Sequence, residues 1–376
     1  MANYAVMNPG SYHLGYVFNE PPAIGSYSDE NAPSGAVKFK TAVVLNRQVY
    51  IGNVQVTQKN DRSRNYGDRI MKSTVAQFDN FPLFRTVDIA LGDGESIVRL
   101  EEYAERLLVY KQKSLYIVNA SSDLEFLEST HSFMGVESHA AVCKTDQGVA
   151  WVNQYGVFMY NGNRIFNLLE KNGVRIISES SWSDFYENDA MIGFAPKYKQ
   201  LIVFDSATGS TSAGDIYVYD LVTQSWVFGS AAVSAGNKTN PIVDYNGDLV
   251  FAHSSGTVVK WTDTPSGATS NFELITKEED FNTPSLRKKI YKVIITYTGG
   301  GSQSVDVTYG VNGASPTSQF DANLDNTSGN TIVAELTPSS AITDAKSLQL
   351  KFSGTIATTF KLHDISIIYR LKKATI

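Results

Sequence analysis

Short pairs of strand-like segments recur along the first two-thirds of the chain, and this recurrence restricts the fold more than any other feature. The first pair is Ala42–Leu45 and Gln48–Ile51, with Asn46-Arg47 between them. β-branched and aromatic residues around a short turn are typical of antiparallel hairpins. Four further pairs follow: Arg106–Tyr110 with Leu115–Val118, Gly148–Val152 with Gly156–Tyr160, Leu201–Phe204 with Asp215–Asp220, and Asp248–Phe251 with Gly256–Trp261. Sheet-sized units of about 40 to 50 residues predict a degenerate β-propeller of about five or six blades, and a generic sandwich or barrel is the alternative.

One segment between these pairs is predicted to be helical. Trp182, Phe185 and Tyr186 follow helical spacing, and Ser178 is a suitable N-cap. We therefore predict a short helix over residues 178–188 that packs between blades. Residues 99–106 have a helix-forming composition, but their neighbours favour a strand end and a turn.

The segment from Asp215 to Gly229 resembles the end of a kelch-type blade. In that pattern a strand leads to an aspartate, a turn, a threonine and a tryptophan, which are here Asp220, Thr223 and Trp226. We expect Asp220 to cap the turn through backbone amides and Trp226 to pack between neighbouring blades. This signal concerns architecture and indicates no ligand.

The composition changes near residue 265, and the remainder of the chain is predicted to form a separate unit. Five alternating segments are separated by Gly, Asn and Pro turns, as in an antiparallel sandwich of about 100 residues. These segments are 290–298, 304–309, 331–336, 347–352 and 360–369. The predicted organisation is therefore an extended N-terminal arm over 1–36, a β-propeller over 37–270 and a β-sandwich over 271–376.

The predicted arm is rich in Gly, Pro, Asn, Ser and Tyr and shows no strand or helix period. Its aromatic residues, which include Tyr12 and Tyr16, are numerous for a solvated tail. We expect the arm to pack on its own domain or on a neighbouring subunit, with a frayed terminus as the alternative.

Charge and cysteine content exclude several classes of protein. The net charge is -6, which argues against a dedicated nucleic-acid binder. Residues 273–376 carry 11 basic and 10 acidic side chains, so the first 272 residues carry 21 and 28 and are strongly acidic. Cys143 is the only cysteine, which excludes an intrachain disulfide and a thiolate zinc site. The N-terminus lacks a signal-peptide pattern, and no apolar run reaches the length of a membrane span, so we expect folding in the cytoplasm.

Motifs of catalysis and metal binding are not found in the sequence. The five histidines lack metal-ligand spacing, and His131 and His139 are interpreted as structural. Residues 321–332 imitate the start of a calcium loop, but Asn326 and Ile332 replace the glycine and glutamate that the loop requires. Residues 254–261 lack the aspartate of a sialidase box. We therefore predict no enzyme activity, no metal and no cofactor.

Three segments of the chain have a distinctive sequence. The first is GVAWVNQYGVFMYNG at 148–162 with IFNLLE at 165–170. The second is NDAMIGFAPKYKQLI at 188–202, and the third is FNTPSLRKKIYKVII at 281–295. They resemble β-propeller structural proteins from the tails of short-tailed bacteriophages, of the tail nozzle and DNA-stabilisation type, in which the third segment opens a sandwich after the propeller. Residues 1–60 match only in general character.

The resemblance implies a virion protein whose copies form a ring around the tail axis, contact adjacent tail or adaptor proteins, and retain packaged DNA until ejection. It implies no membrane insertion and no sequence-specific DNA contact. The acidic first part of the chain predicts an acidic channel face, which would repel phosphates and allow DNA to pass.

A closed ring requires two different patches on each subunit. We expect these on the arm, at Tyr12 and Tyr16, and on the sandwich, at Arg287, Lys288 and Lys289. The acidic run 278–280 with the basic run 287–289 is alternatively a solvated turn pair. A receptor- or glycan-binding tail propeller is the second functional prediction, and it requires exposed aromatic residues on one face.

Overall fold

The computed structural model describes most of the chain and divides it into two compact units, Met1–Trp261 and Thr262–Ile376. The described residues are 5–6, 15–18, 33–58, 63–82, 85–122, 124–187, 189–206, 214–238, 240–261, 270–300, 304–326, 328–356 and 359–372. The secondary structure is almost entirely antiparallel β-sheet, so the predicted all-β class is confirmed.

The first unit contains 24 of the described strands, one α-helix and one short 3-10 helix, His139–Ala141. The strands are β1 Ala5–Val6, β2 Gly15–Phe18, β3 Pro33–Leu45, β4 Gln48–Gln58, β5 Ser63–Lys72, β6 Asn80–Pro82, β7 Thr86–Asp88, β8 Ile97–Tyr103, β9 Arg106–Lys111, β10 Ser114–Asn119, β11 Phe126–Ser132, β12 Val142–Lys144, β13 Val149–Asn153, β14 Gly156–Tyr160, β15 Ile165–Asn167, β16 Glu170–Lys171, β17 Val174–Arg175, β18 Met191–Ala195, β19 Gln200–Phe204, β20 Gly214–Asp220, β21 Ser225–Val233, β22 Ile242–Val243, β23 Leu249–Ala252 and β24 Val258–Lys260. The α-helix is α1 Glu179–Phe185.

Five sheets follow one another along this unit, and each is a meander of successive strands. They are sheet A (β3-β4-β5-β7), sheet B (β8-β9-β10-β11), sheet C (β12-β13-β14-β15), sheet D (β18-β19-β20-β21) and sheet E (β22-β23-β24). Strands β16 and β17 form a separate hairpin, and β2 lies between β1 and β6 in a small sheet.

Each of the five sheets packs against the next one along the chain. One hydrophobic cluster joins sheets A and B, a larger one joins sheets B, C and D, and a third joins sheets D and E. All five residues of β13, of β14 and of β18 are buried. Burial on both faces explains why these strands are apolar along their length instead of alternating, with Asn153 at the end of β13 as the exception.

The first strands of neighbouring sheets also lie beside each other. Strand β3 contacts β8, and β18 contacts both β12 and β22. Thr41 Oγ1 accepts a hydrogen bond of 3.0 Å from the Leu100 amide between sheets A and B. Arg99 Nη1 donates to the His139 carbonyl at 2.6 Å between sheet B and the start of sheet C. The first strands of successive sheets are therefore connected in chain order.

All five predicted hairpins are confirmed by strand register. Leu45 faces Gln48, Tyr110 faces Leu115, and equivalent antiparallel pairs join β13 to β14, β19 to β20 and β23 to β24. In the first turn Asn46 and Arg47 both have positive φ, 50° and 60°, as a two-residue hairpin turn requires.

The predicted helix is confirmed and is slightly shorter than expected. Ser178 caps α1, because its side chain accepts from the Ser181 amide at 3.1 Å. Trp182 and Phe185 lie on its buried face. The segment 99–106 is the end of β8 followed by a turn, as predicted.

The kelch-like turn is also confirmed. Asp220 Oδ1 accepts from the amides of Val222 and Thr223, both at 2.8 Å, and these bonds lower the pKa of Asp220. Trp226 Nε1 donates to the Leu168 carbonyl at 2.8 Å. This tryptophan therefore connects β21 of sheet D to the residue after β15 of sheet C.

The second unit contains eight described strands in two antiparallel sheets. The strands are β25 Ser270–Ile275, β26 Lys288–Gly300, β27 Ser304–Val311, β28 Ser318–Gln319, β29 Ser328–Leu336, β30 Ile342–Ala345, β31 Leu348–Ile356 and β32 Thr359–Leu371. One sheet has the order β25-β31-β27-β28, and in the other β26 pairs with β29, β30 and β32. One hydrophobic cluster contains residues of both sheets, including Tyr297 and Phe352. All five strands predicted here are confirmed, and β25, β28 and β30 were not expected.

Candidate functional site

Lys288, one of the predicted subunit contacts, lies inside the second unit. Its side chain is fully buried. Its Nζ atom donates to the carbonyls of Asp280, Thr283 and Lys346 at 2.7 to 2.8 Å. Burial lowers the pKa of Lys288. The basic run therefore does not form one continuous surface patch, and the prediction that Lys288 contacts a neighbouring subunit is wrong. Lys288 instead connects the loop of Asp280 and Thr283 to Lys346.

Arg287 and Lys289, on either side of Lys288, remain accessible. Arg287 is exposed and lies 3.6 Å from Asp344. Lys289 is half-buried over the Tyr291 ring and pairs in register with Arg370 of β32. Like charges directly opposite each other destabilise a sheet unless another group compensates them. We call Arg287, Lys289 and Arg370 the basic patch.

The two tyrosines predicted to contact a neighbouring subunit are in the N-terminal region. Tyr12 lies outside the described residues. Tyr16 belongs to β2, where it pairs in register with Phe81 of β6. The backbone of β2 therefore forms a strand in a small sheet of the first unit.

Strand β21 forms the outer edge of sheet D and contains no charged residue. Its sequence is SWVFGSAAV, and most of its nine residues are exposed, with Val227 63% accessible. Within the described part of the chain, no strand pairs with its outer edge. Natural edge strands are usually protected by charges, and β11 at the edge of sheet B carries Glu128 and His131. A register shift interrupts β21 between Gly229 and Val233, so the regular uncharged edge is Ser225–Gly229, and this part is suited to pairing with another chain.

A groove lies on the surface of the first unit beside the β13–β14 turn. It consists of two hollows of about 250 Å³ and about 690 Å³ that share Gln154, Tyr155 and Tyr186. Phe133 lines the smaller hollow, and its ring contacts the Tyr155 ring edge to face, with centroids 5.4 Å apart. Both rings are largely exposed, at 60% for Phe133 and 45% for Tyr155. We call this feature the Tyr155 groove.

Buried Asn153 fixes the position of the aromatic rings in this groove. Its Nδ2 donates to the carbonyls of Phe133 and Gly135, at 3.1 and 2.9 Å. Its Oδ1 accepts from the Tyr155 amide at 2.8 Å, and its carbonyl accepts from Trp182 Nε1 at 3.2 Å. Through its side chain and its carbonyl, Asn153 therefore connects the turns at Phe133 and Tyr155 to helix α1.

The backbone of Phe133 is strained. Its φ of 66° lies in the left-handed region, which is unfavourable for a bulky residue. Such strain costs about 1–3 kcal/mol. Fourteen other described non-glycine residues also have a positive φ, so this conformation is not specific to the groove. The bond from Asn153 to the Phe133 carbonyl stabilises it.

Polar side chains line the larger hollow. Glu170 and Arg175 face each other across the β16–β17 hairpin, and both line the hollow with Glu179 of α1. Glu170 Oε1 accepts from Asn167 Nδ2 at 2.9 Å, and Arg175 Nε donates to the Ile177 carbonyl at 2.9 Å. The hairpin itself therefore orients hydrogen-bonding groups toward the hollow.

His131 and His139 both contact neighbouring groups within the first unit. His131 Nε2 lies 3.0 Å from Ser129 Oγ, and burial lowers its pKa. Burial and the charges of Arg99 and Lys40 lower the pKa of His139 to about 4. In the described part of the chain, no group of three or more His, Cys, Asp or Glu side chains could hold a metal ion.

The Tyr155 groove was not predicted from the sequence. Asn153-Gln154-Tyr155 reads as a hairpin turn, and only the tyrosine at its tip signals an additional role. The contribution of Phe133 depends on a contact between residues 20 positions apart, which no local pattern reveals.

Comparisons with known proteins give weak similarities only. No family model and no curated protein matches the chain. Among solved structures, Hsv2 of Kluyveromyces marxianus is 9% identical with a TM-score of 0.35, covering 61% of this chain and 74% of that chain. Hsv2p of Kluyveromyces lactis is 9% identical with a TM-score of 0.34, covering 60% and 74%. A Bacillus subtilis glycoside hydrolase family 43 arabinoxylan arabinofuranohydrolase, solved with cellotetraose, is 9% identical with a TM-score of 0.29, covering 92% and 96%. Similarities at these TM-scores define neither fold nor function.

Over the described ranges, no helix is both long and apolar enough to cross a membrane.

Proposed function

We propose that the chain is a structural protein of a phage tail, in which copies form a ring around the channel through which DNA leaves. In this proposal the first unit is a β-propeller of five blades, and the second unit is a β-sandwich. The propeller is supported by five consecutive meander sheets, each packed on the next. The tail assignment rests on the resemblance of residues 148–170, 188–202 and 281–295 to tail nozzle proteins.

The observation that carries the assembly proposal is the exposed, uncharged edge of β21. Monomeric proteins usually interrupt such an edge with charge, proline or a bulge. The register shift of β21 lies between Gly229 and Val233, so Ser225–Gly229 remains a regular edge without charge or proline. A second copy that adds a strand would satisfy the exposed backbone groups and would cover Val227.

A ring also requires a second, different patch on each subunit. The basic patch of Arg287, Lys289 and Arg370 is the candidate on the second unit. The first unit carries 21 basic and 27 acidic side chains, so the first unit of a neighbouring copy offers opposite charge. Such complementarity sets orientation and association rate more than it sets affinity.

The mass of the full-length protein in solution tests the assembly. We expect a concentration-dependent closed oligomer by light scattering and native mass spectrometry. Val227→Lys places a charge on the β21 edge and should weaken subunit association at least tenfold, about 1.4 kcal/mol. Leu91→Lys, in an exposed turn, is the matched control and should leave the mass unchanged. A strictly monomeric wild type, or equal behaviour of the two variants, would contradict the role of this edge.

The DNA-channel part of the proposal predicts a specific distribution of charge in the assembled ring. The channel face should be acidic, since lysines and arginines would bind phosphates and slow ejection. A ring whose bore is lined by basic side chains would contradict this part without affecting the assembly itself.

A further inference from the structure

The Tyr155 groove combines exposed aromatic residues with hydrogen-bonding groups of both charges. Phe133 and Tyr155 are exposed, at 60% and 45%, beside amide, carboxylate and guanidinium groups. Asn153 holds the Phe133 carbonyl and the Tyr155 amide, so both residues have a fixed backbone. Exposed aromatic rings held beside polar groups are suited to contact a ligand that is apolar on one face and polar at its edges.

The charges of the groove restrict the ligand. Lys113 and Arg175 contribute two positive charges, and Glu137, Glu170 and Glu179 contribute three negative charges. This near balance disfavours phosphates and nucleic acids, which need an excess of cations. The groove is open to solvent and is lined by charged and amide groups as well as aromatic rings, so it is unsuited to a wholly apolar ligand, which needs an enclosed apolar pocket.

A sugar ring matches this combination of groups. It presents an apolar C–H face, which packs on an aromatic ring, and hydroxyl groups, which bond to carboxylates, amides and guanidinium groups in the plane of the sugar. Tyr155 lies between the two hollows, so a ligand over its ring reaches both of them. A chain of several sugar units would fill the groove better than a single unit.

We propose that the Tyr155 groove binds a neutral oligosaccharide. The Tyr155 and Phe133 rings pack on sugar faces, while Gln154, Glu170 and Arg175 bond to hydroxyl groups. The bonds made by Asn153 hold the rings in place before the ligand arrives, which reduces the entropy lost on binding. The proposal concerns binding only, and it does not depend on the ring proposed above.

The test uses the full-length protein on an array of neutral linear oligosaccharides, followed by calorimetric titration of the sugar that binds best. Tyr155→Ala should weaken this binding at least tenfold. Tyr245→Ala, which removes a tyrosine that is 98% exposed outside the groove, is the control and should bind as wild type does. The oligomeric mass of both variants should equal that of the wild type, so failure of this proposal is distinguishable from failure of the ring.

A second variant separates ligand contact from folding. Phe133→Gly removes the ring and relieves the positive φ, so the variant should be at least as stable as wild type and should still bind at least tenfold more weakly. Three results would overturn the proposal: no sugar on the array is bound, both groove variants bind within about twofold of wild type, or the protein prefers phosphorylated sugars or nucleic acid.

Discussion

Replacement of Lys288 by methionine provides a sensitive test of the structure of the second unit. The ammonium group donates to three carbonyls at 2.7 to 2.8 Å, and the side chain is fully buried. Methionine has a similar length and retains apolar packing, but it has no donor. Each carbonyl that loses its hydrogen-bond donor lowers the free energy of unfolding by about 1–3 kcal/mol. Because Asp280 and Thr283 are only half-buried and Lys346 is exposed, water can reach their carbonyls, and the lower limit of about 1 kcal/mol each applies.

We therefore expect Lys288→Met to lower the free energy of unfolding by about 3 kcal/mol. Lys289→Met is the matched control, because the adjacent lysine is half-exposed and should change the free energy by less than about 0.5 kcal/mol. Urea unfolding followed by far-UV circular dichroism measures both variants. All four tryptophans lie in the first unit, so their fluorescence reports on that unit and serves as the internal reference.

Equal stability of the two variants would refute this account. It would mean that Lys288 is accessible in solution, and the prediction from sequence that residues 287–289 form one contact surface would then stand.

Two further predictions concern the first unit. The folded protein keeps His139 neutral down to its lowered pKa of about 4, whereas the unfolded chain takes up a proton near 6.5, so stability falls as the pH drops through this window. Because the imidazole ring is partly exposed and its charge is screened by solvent, we expect the free energy of unfolding to fall by about 1 kcal/mol across this window. His139→Gln should abolish this fall when the free energy of unfolding is measured at both ends of the window. Trp226→Phe removes the bond to the Leu168 carbonyl and should cost about 1 kcal/mol in thermal unfolding. Trp261→Phe, whose Nε1 bond to Gln200 is 3.4 Å long, should cost less, and the reverse order would contradict a connection between sheets C and D through Trp226.

Local sequence patterns predicted the hairpins and the helix because those elements depend on neighbouring residues. Turn chemistry at Asn46-Arg47 and alternation in the flanking strands define the first hairpin without reference to distant contacts. The helix α1 followed from its apolar spacing and its Ser178 cap for the same reason.

Local sequence patterns do not predict contacts between segments that are distant in the chain. From the sequence, Lys288 is predicted to be part of an exposed basic run, yet it is buried. One of the carbonyls that its ammonium group bonds belongs to Lys346, 58 positions away, and no local pattern reveals this contact. The groove likewise depends on Asn153 reaching Phe133 and Trp182, which belong to different elements. Polar groups with long-range partners are therefore the residues whose roles sequence alone misassigned or missed.

Cryo-electron microscopy of a virion that contains this chain tests the central claim most directly. The account predicts a closed ring of identical copies around the tail axis, with the β21 edge at the subunit interface and a channel wide enough for DNA. Copies that stand singly at the periphery of the tail, with the β21 edge facing solvent, would contradict the ring.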